Sequence, residues 1–156
     1  SIFDTEHPSN RSRILMRQTG WQMFLDHPIT GIADSDFLGV YKTYKTPEYH
    51  GEGVHMHNNF MMILATTGIA GMLTFLGFFA AVVSGQWKMF RNSRDALSRR
   101  LIEGSMYVML SFLITGMFEW NFGDHEVMTV FFFLISVPFV VSKTTDKDDA
   151  IELHSS

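Results

Sequence analysis

The sequence predicts an all-α, polytopic membrane protein: about three transmembrane helices preceded by an external helix and loop. Three observations carry that expectation. Of the 156 residues 46% are hydrophobic, including fifteen Phe and eleven Met, a composition that suits a bilayer better than water. From Asn59 to Ser84 no side chain is charged, and this run exceeds the ~20 apolar residues that a crossing helix needs. The charges gather instead in short segments between apolar runs. A soluble bundle of buried helices is the competing class, and the unbroken aromatic and aliphatic runs disfavour it. The absence of cysteine rules out disulfides and thiol catalysis within the chain.

The first element lies in "NRSRILMRQTGWQMFLDHPITGIADSDFLG". Asn10 and Ser12 supply a helix start, and Pro28 and Gly31 a stop, so a helix of roughly 14 to 16 residues is expected. Arg13 and Arg17, four apart, share one of its faces, while Ile14, Trp21 and Leu25 project from another. Two cations at this spacing repel unless an anion sits between them, and guanidinium groups pair well with phosphate. A basic helix resting on anionic lipid headgroups is the alternative reading.

An irregular loop, "YKTYKTPEYHGEGVHMHN", follows and ends at two histidines, His55 and His57. The spans come next: Asn59 to Ser84, then Ser105 to Phe118 extended toward Trp120 and Asn121, then Val127 to Ser142 extended back toward Phe122 or Gly123. Glycines 68, 71, 77 and 116 suggest close helix packing. Between the first two spans Lys88, Arg91, Arg94, Arg99 and Arg100 face a single acid, Asp95, so the loop 86–100 is expected to be cytoplasmic. Residues 1–57 then lie outside, as does the turn 119–126, which joins helices of the 58–142 region. The polar, acidic tail 143–156 lies inside and reads as disordered. Because the chain starts at Ser1 with no preceding span or signal peptide, it is expected to be the C-terminal part of a larger polytopic protein.

The loop-to-span junction carries the chemistry. Imidazole exchanges protons near neutral pH, so His57, at a dry boundary, suits a general base toward a hydroxyl. His50, Glu52, His55 and His57 offer metal ligands, but their spacing fits no zinc signature, and no metal is expected. Capping of the first span is the plain alternative, favoured for His55. On the same face Asp124, His125 and Glu126 form a polar turn that keeps two helix ends in water. Glu119, beside Trp120, is an acid at a helix end, either interfacial or turned into a cavity.

An arginine-led external helix, "DHPITGIADSDF" (26–37) and "HMHNNFMMILATTGIAGM" (55–72) together resemble the signature of the O-antigen ligase and polymerase superfamily. In that family an "HP-x-x-G-x-G" turn precedes an "HN" pair that opens a transmembrane helix with a "G-x-x-G" step. "FEWNFGDHEVMT" (118–129) is similar to the external turn of bacterial members. The resemblance covers residues 11 to 75. It implies an inner-membrane glycosyltransferase that passes a glycan from an undecaprenyl-diphosphate carrier to an acceptor hydroxyl on the periplasmic side. The acceptor is either lipid A-core, for a ligase, or another carrier-linked glycan, for a polymerase. No metal or other cofactor and no nucleic acid is implied; the partners are the donor, the acceptor, membrane lipids and the remaining transmembrane helices. By position His57 matches the family histidine and Arg13 its arginine, both catalytic. Arg17, His55, Asn58, Asp124, His125 and Glu126 are candidates for binding diphosphate or sugar. Arg17 stands where many members have an aromatic, and Ala33-Asp34 where the turn has a further glycine. A component of a lipid-linked glycan transporter is the alternative from another class; it needs polar residues within the spans, and the first span has no charge.

Overall fold

The structure, a computed structural model, describes residues 8–33, 36–48 and 55–155. Five helices follow in order: α1 (Pro8–Asp26), α2 (Phe37–Tyr44), α3 (Asn59–Asn92), α4 (Ala96–Thr115) and α5 (His125–Ser155), with no strand among the described residues. The chain divides into two compact units. One comprises Ser1–Leu76 with Ile114–Gly123, the other Gly77–Leu113 with Asp124–Ser156.

The first unit is built on methionine. Met16 and Met23 of α1, Phe37 and Tyr41 of α2, Met56, and Met62 and Ala65 of α3 are buried together, with Leu15, Ile32, Val40, Met61 and Trp120 packed against them. Flexible thioethers suit the irregular gaps between these segments. α2 falls partly within the stretch expected to be irregular. Its signal is Asp36, whose carboxylate accepts the Gly39 N–H at 3.2 Å and so caps the helix.

α3 is not one continuous helix. At Gly68 the backbone turns to φ 64°, ψ −161°, and the regular hydrogen-bond ladder is interrupted. The turn after α1 takes up the groups that this break frees. Ile32 and Ala33 donate to the carbonyls of Ala65 and Thr66 at 3.0 and 2.9 Å, while Ile69 and Ala70 donate to those of Pro28 and Ile29 at 2.8 and 3.2 Å. Two glycines make this possible. Gly31 also has φ 64°, and a Cβ there would strike the Thr66 carbonyl, as one at Gly68 would strike that of Ile29. Of the glycines expected in close helix packing, Gly68 breaks the helix, Gly71 meets Thr67 of its own helix, and Gly77 meets nothing within 4 Å among the described residues; the Gly116 carbonyl accepts the Asn59 N–H.

In the second unit Phe79, Phe112 and Phe131 form an aromatic core, with ring centroids 4.2 to 6.1 Å apart. Gln86 is fully buried and donates to Ser105 Oγ at 2.7 Å and to the Ile135 carbonyl at 3.2 Å, joining α3, α4 and α5. The segment 86–100 expected as a loop is helical except for 93–95; Arg99, in the first turn of α4, covers the Phe90 ring at 3.9 Å and donates to the Phe90 carbonyl.

Two helices are long and apolar enough to cross a membrane, α3 and α5 from His125 to Ser142. α4 is not among them. It extends toward its N-terminus rather than to Trp120 and Asn121, so its first half carries Arg99, Arg100 and Glu103, and only Gly104 to Thr115 is free of charge. α5 starts at His125 rather than Phe122, because Asp124 Oδ1 accepts the amides of Glu126 and Val127 at 3.0 and 3.2 Å. Its backbone remains helical to Ser155, within the tail expected to be disordered.

Candidate functional site

The sequence "HNN" at 57–59 and the turn after α4 are complementary. Asn58 uses both ends of its amide: Oδ1 accepts the Met61 N–H, capping α3, and Nδ2 donates to the Met117 carbonyl, each at 2.8 Å. Asn59, buried, donates its backbone N–H to the Gly116 carbonyl at 2.7 Å and accepts the amides of Asn121 and Phe122 on Oδ1. These bonds end α4 at Thr115 and fix the conformation of 116–122. The consequence is that Glu119 is held beside His57.

His57 Nδ1 lies 2.6 Å from Glu119 Oε1. On the other side of that carboxylate, Arg13 of α1 places its guanidinium 3.6 Å from Oε2 and donates to the Phe118 carbonyl at 3.3 Å. Three segments far apart in sequence thus deliver an Arg13–Glu119–His57 chain. Its members are part-exposed, with 36%, 45% and 29% of their side chains accessible, so a substrate can reach them. Partial burial pushes the Glu119 carboxyl up, but the hydrogen bond and charge of His57, the Trp120 amide and Arg13 together hold it below its ordinary value. Glu119 is therefore ionised at neutral pH. With Nδ1–H directed at that carboxylate, Nε2 of His57 is left as the proton acceptor.

His57 adopts φ 46°, a left-handed conformation that is strained for a residue with a Cβ. Its backbone N–H points at Nδ1 of His55, 3.4 Å away, and the two rings meet edge to face at 4.2 Å. Burial, followed by the charges of His57 and Arg13, lowers the His55 pKa against the pull of Glu119. A neutral His55 can accept that N–H.

Of the expected site residues, the structure brings His57, Arg13 and His55 together, and adds Glu119. Asn58 adjoins them, with its side chain engaged in capping. Arg17 lies one turn along α1, its Nε buried and without a hydrogen-bond partner among the described residues. Asp124, His125 and Glu126 are exposed in the second unit, where Asp124 caps α5. His50 and Glu52 lie outside the described residues.

His55, His57 and Glu119 each offer a ligand atom within 4.8 Å of the others, the one such group found among the described residues. A tetrahedral ion with Zn–N of about 2.0 to 2.1 Å needs ligand atoms about 3.3 Å apart, so His57 Nδ1 and Glu119 Oε1, now 2.6 Å apart, would have to separate. Glu119 would also have to leave Arg13 or His57. The donor set fits proton transfer with less rearrangement than it fits a metal.

The arrangement is that of a helical membrane protein presenting a histidine–carboxylate pair and arginines where a candidate membrane-crossing helix begins. Residues 2–76 match the family described as O-antigen ligase. The teichuronic acid biosynthesis protein TuaE of Bacillus subtilis is 25% identical over 143 residues, which cover 90% of this chain and 28% of that protein. Over residues 2–76 the chain is similar to the O-antigen ligase family. It spans little more than a quarter of the length of that relative.

Proposed function

We propose that this chain carries the transfer site of a glycosyltransferase that moves a glycan from undecaprenyl diphosphate to an acceptor hydroxyl on the periplasmic face of the inner membrane. The observation that carries the reading is the Arg13–Glu119–His57 chain. The acceptor O–H gives its proton to His57 Nε2 as its oxygen attacks the anomeric carbon. The bond from that carbon to the diphosphate oxygen breaks, and the diphosphate leaves with the electron pair. Attack opposite the leaving group inverts the anomeric centre without a sugar–enzyme intermediate. Glu119 orients the imidazole and stabilises the imidazolium that forms, the part a carboxylate plays toward histidine in hydrolase triads. Positive charge from Arg13 and Arg17 favours the departing diphosphate, more in the transition state than before it. Arg17, whose Nε has no hydrogen-bond partner among the described residues, is left to meet phosphate. No step calls for a metal.

Attachment to lipid A-core is the first reading of the acceptor. Polymerisation, with a second carrier-linked glycan as acceptor, is the second reading; the relative's name assigns that protein to teichuronic acid biosynthesis. The experiment follows glycan attachment in a strain lacking the protein, complemented with His57→Ala or Arg13→Ala at matched membrane abundance. Both variants are expected to lose transfer. Normal transfer by both would leave the loop a structural element only.

A further inference from the structure

α1 is apolar on two opposite sides. At 100° per residue Met16, Thr19, Gly20 and Met23 fall on the side buried in the first unit's core. Ile14, Trp21 and Leu25 fall within about 40° of arc on the other side, where they are exposed. Ile29, in the turn that follows, continues the stripe. Accessibility rises steadily along it: 38% at Ile14, 44% at Trp21, 51% at Leu25 and 71% at Ile29. Arg11, Arg17, Gln18 and Gln22 flank it as a polar border. An exposed run of large apolar side chains with a polar rim is a surface made to be covered.

α3 supplies the reference for the level of this stripe relative to a bilayer, through its length and composition. Charged residues are absent from Asn59 to Trp87, and the ~20 residues that cross ~30 Å of hydrocarbon are supplied by the stretch from Gly68 to Trp87 alone. Counted back from Lys88, the first charge, such a stretch begins at the Gly68 break and leaves the first two and a half turns of α3, about 14 Å along the axis, before it. The C-terminal end of α1 is tied to the start of this stretch by the bonds of Pro28 and Ile29 to Ile69 and Ala70. Its N-terminal end is tied, through Arg13, to Glu119 beside His57, at the outermost start of α3. α1 therefore descends from the candidate site toward the hydrocarbon edge, and the side chains nearest that edge are the most exposed.

We propose that α1 is an interfacial helix whose outer stripe enters the lipid headgroup zone end first, with Ile29 deepest, then Leu25, Trp21 and Ile14. Lipid is the occupant because the stripe reaches the level at which α3 itself meets lipid, and because Trp21, at mid-stripe, is the residue type favoured at that depth. Arg17 and the glutamines border the stripe as the polar side of such a helix requires.

The chain has no cysteine, so nitroxide labels can be placed singly at Ile14, Trp21, Leu25, Ile29 and, as a reference outside the stripe, Gln22. The intact protein is reconstituted in nanodiscs of phosphatidylglycerol and phosphatidylcholine, and collisions with oxygen and with a water-soluble nickel chelate are compared. The oxygen-to-nickel ratio is expected to rise from Ile14→Cys to Ile29→Cys and to be lowest at Gln22→Cys. Nickel access at all four positions equal to that at Gln22, or shielding from both reagents by the rest of the protein or a second copy, would overturn the proposal. So would a depth that does not increase toward Ile29. Quenching of native tryptophan by brominated lipid, compared between wild type and Trp21→Phe, reads the same depth without a label. The quenched fraction is expected to fall in the variant, the remainder coming from Trp87 near the end of α3, and an unchanged quenched fraction contradicts the placement of Trp21.

Discussion

At the scale of single residues, the site turns on a carboxylate. The sequence points to His57 and Arg13 through their place in a family pattern and treats Glu119 as an unusual acid at a helix end. Nothing in spacing alone pairs residues 57 and 119. That pairing is set by Asn58 and Asn59, whose bonds to 116–122 become visible only with the turn folded against α3. Glu119→Gln keeps the shape but removes the charge that holds the imidazole and its cation. It is expected to reduce transfer about 10²-fold with little change in donor KM, measured with reconstituted protein. Arg17→Ala is expected instead to raise the donor KM, since its proposed partner is the diphosphate. Ala33 is the residue where the family turn has a further glycine, and it adopts φ 63°, a conformation glycine takes freely. Ala33→Gly is expected to stabilise the fold by about 1 kcal/mol, read as a raised Tm in detergent.

At the scale of elements, start and stop signals find α1, while hydrophobic runs find α3 and α5 and misplace α4. Apolar runs mark where a helix is permitted, but ends are set by polar bonds: Asp36 starts α2, Asp124 starts α5, and the asparagine pair stops α4 short of Trp120. The break in α3 escapes pattern reading because "TTGIAG" has no proline and the amides around Gly68 are satisfied from a turn about forty residues earlier. Gly68→Ala forces a Cβ against the Ile29 carbonyl at a positive φ, and is expected to cost roughly 2 to 4 kcal/mol, lowering Tm and detaching the 28–33 turn. Gly77→Ala, in the same helix with open space around it, is expected to be neutral or to stabilise by up to about 1 kcal/mol. Equal effects at the two glycines would contradict the break.

At the scale of the molecule, two groups near the site titrate below their ordinary values, His55 below 6.5 and Glu119 below 4.5. In each case the unfolded chain binds protons more readily, so stability rises with pH. The His55 contribution is complete above about pH 6.5 and is lost as pH falls through the folded value; the Glu119 contribution follows the same course from about pH 4.5 downward. Tm is accordingly expected to fall from pH 7.5 to 5.5 and further toward pH 4, and a Tm that rises on acidification contradicts this. Membrane character is legible in the sequence because it rests on composition and run length, while proton transfer rests on a contact between distant segments. The measurement that tests the central claim most directly is single-turnover transfer by reconstituted His57→Ala protein with the lipid-linked donor bound, without and with added imidazole. The account predicts a loss of about 10² to 10⁴-fold that imidazole partly restores while donor binding is kept. Transfer at the wild-type rate without imidazole would show that His57 is not the base.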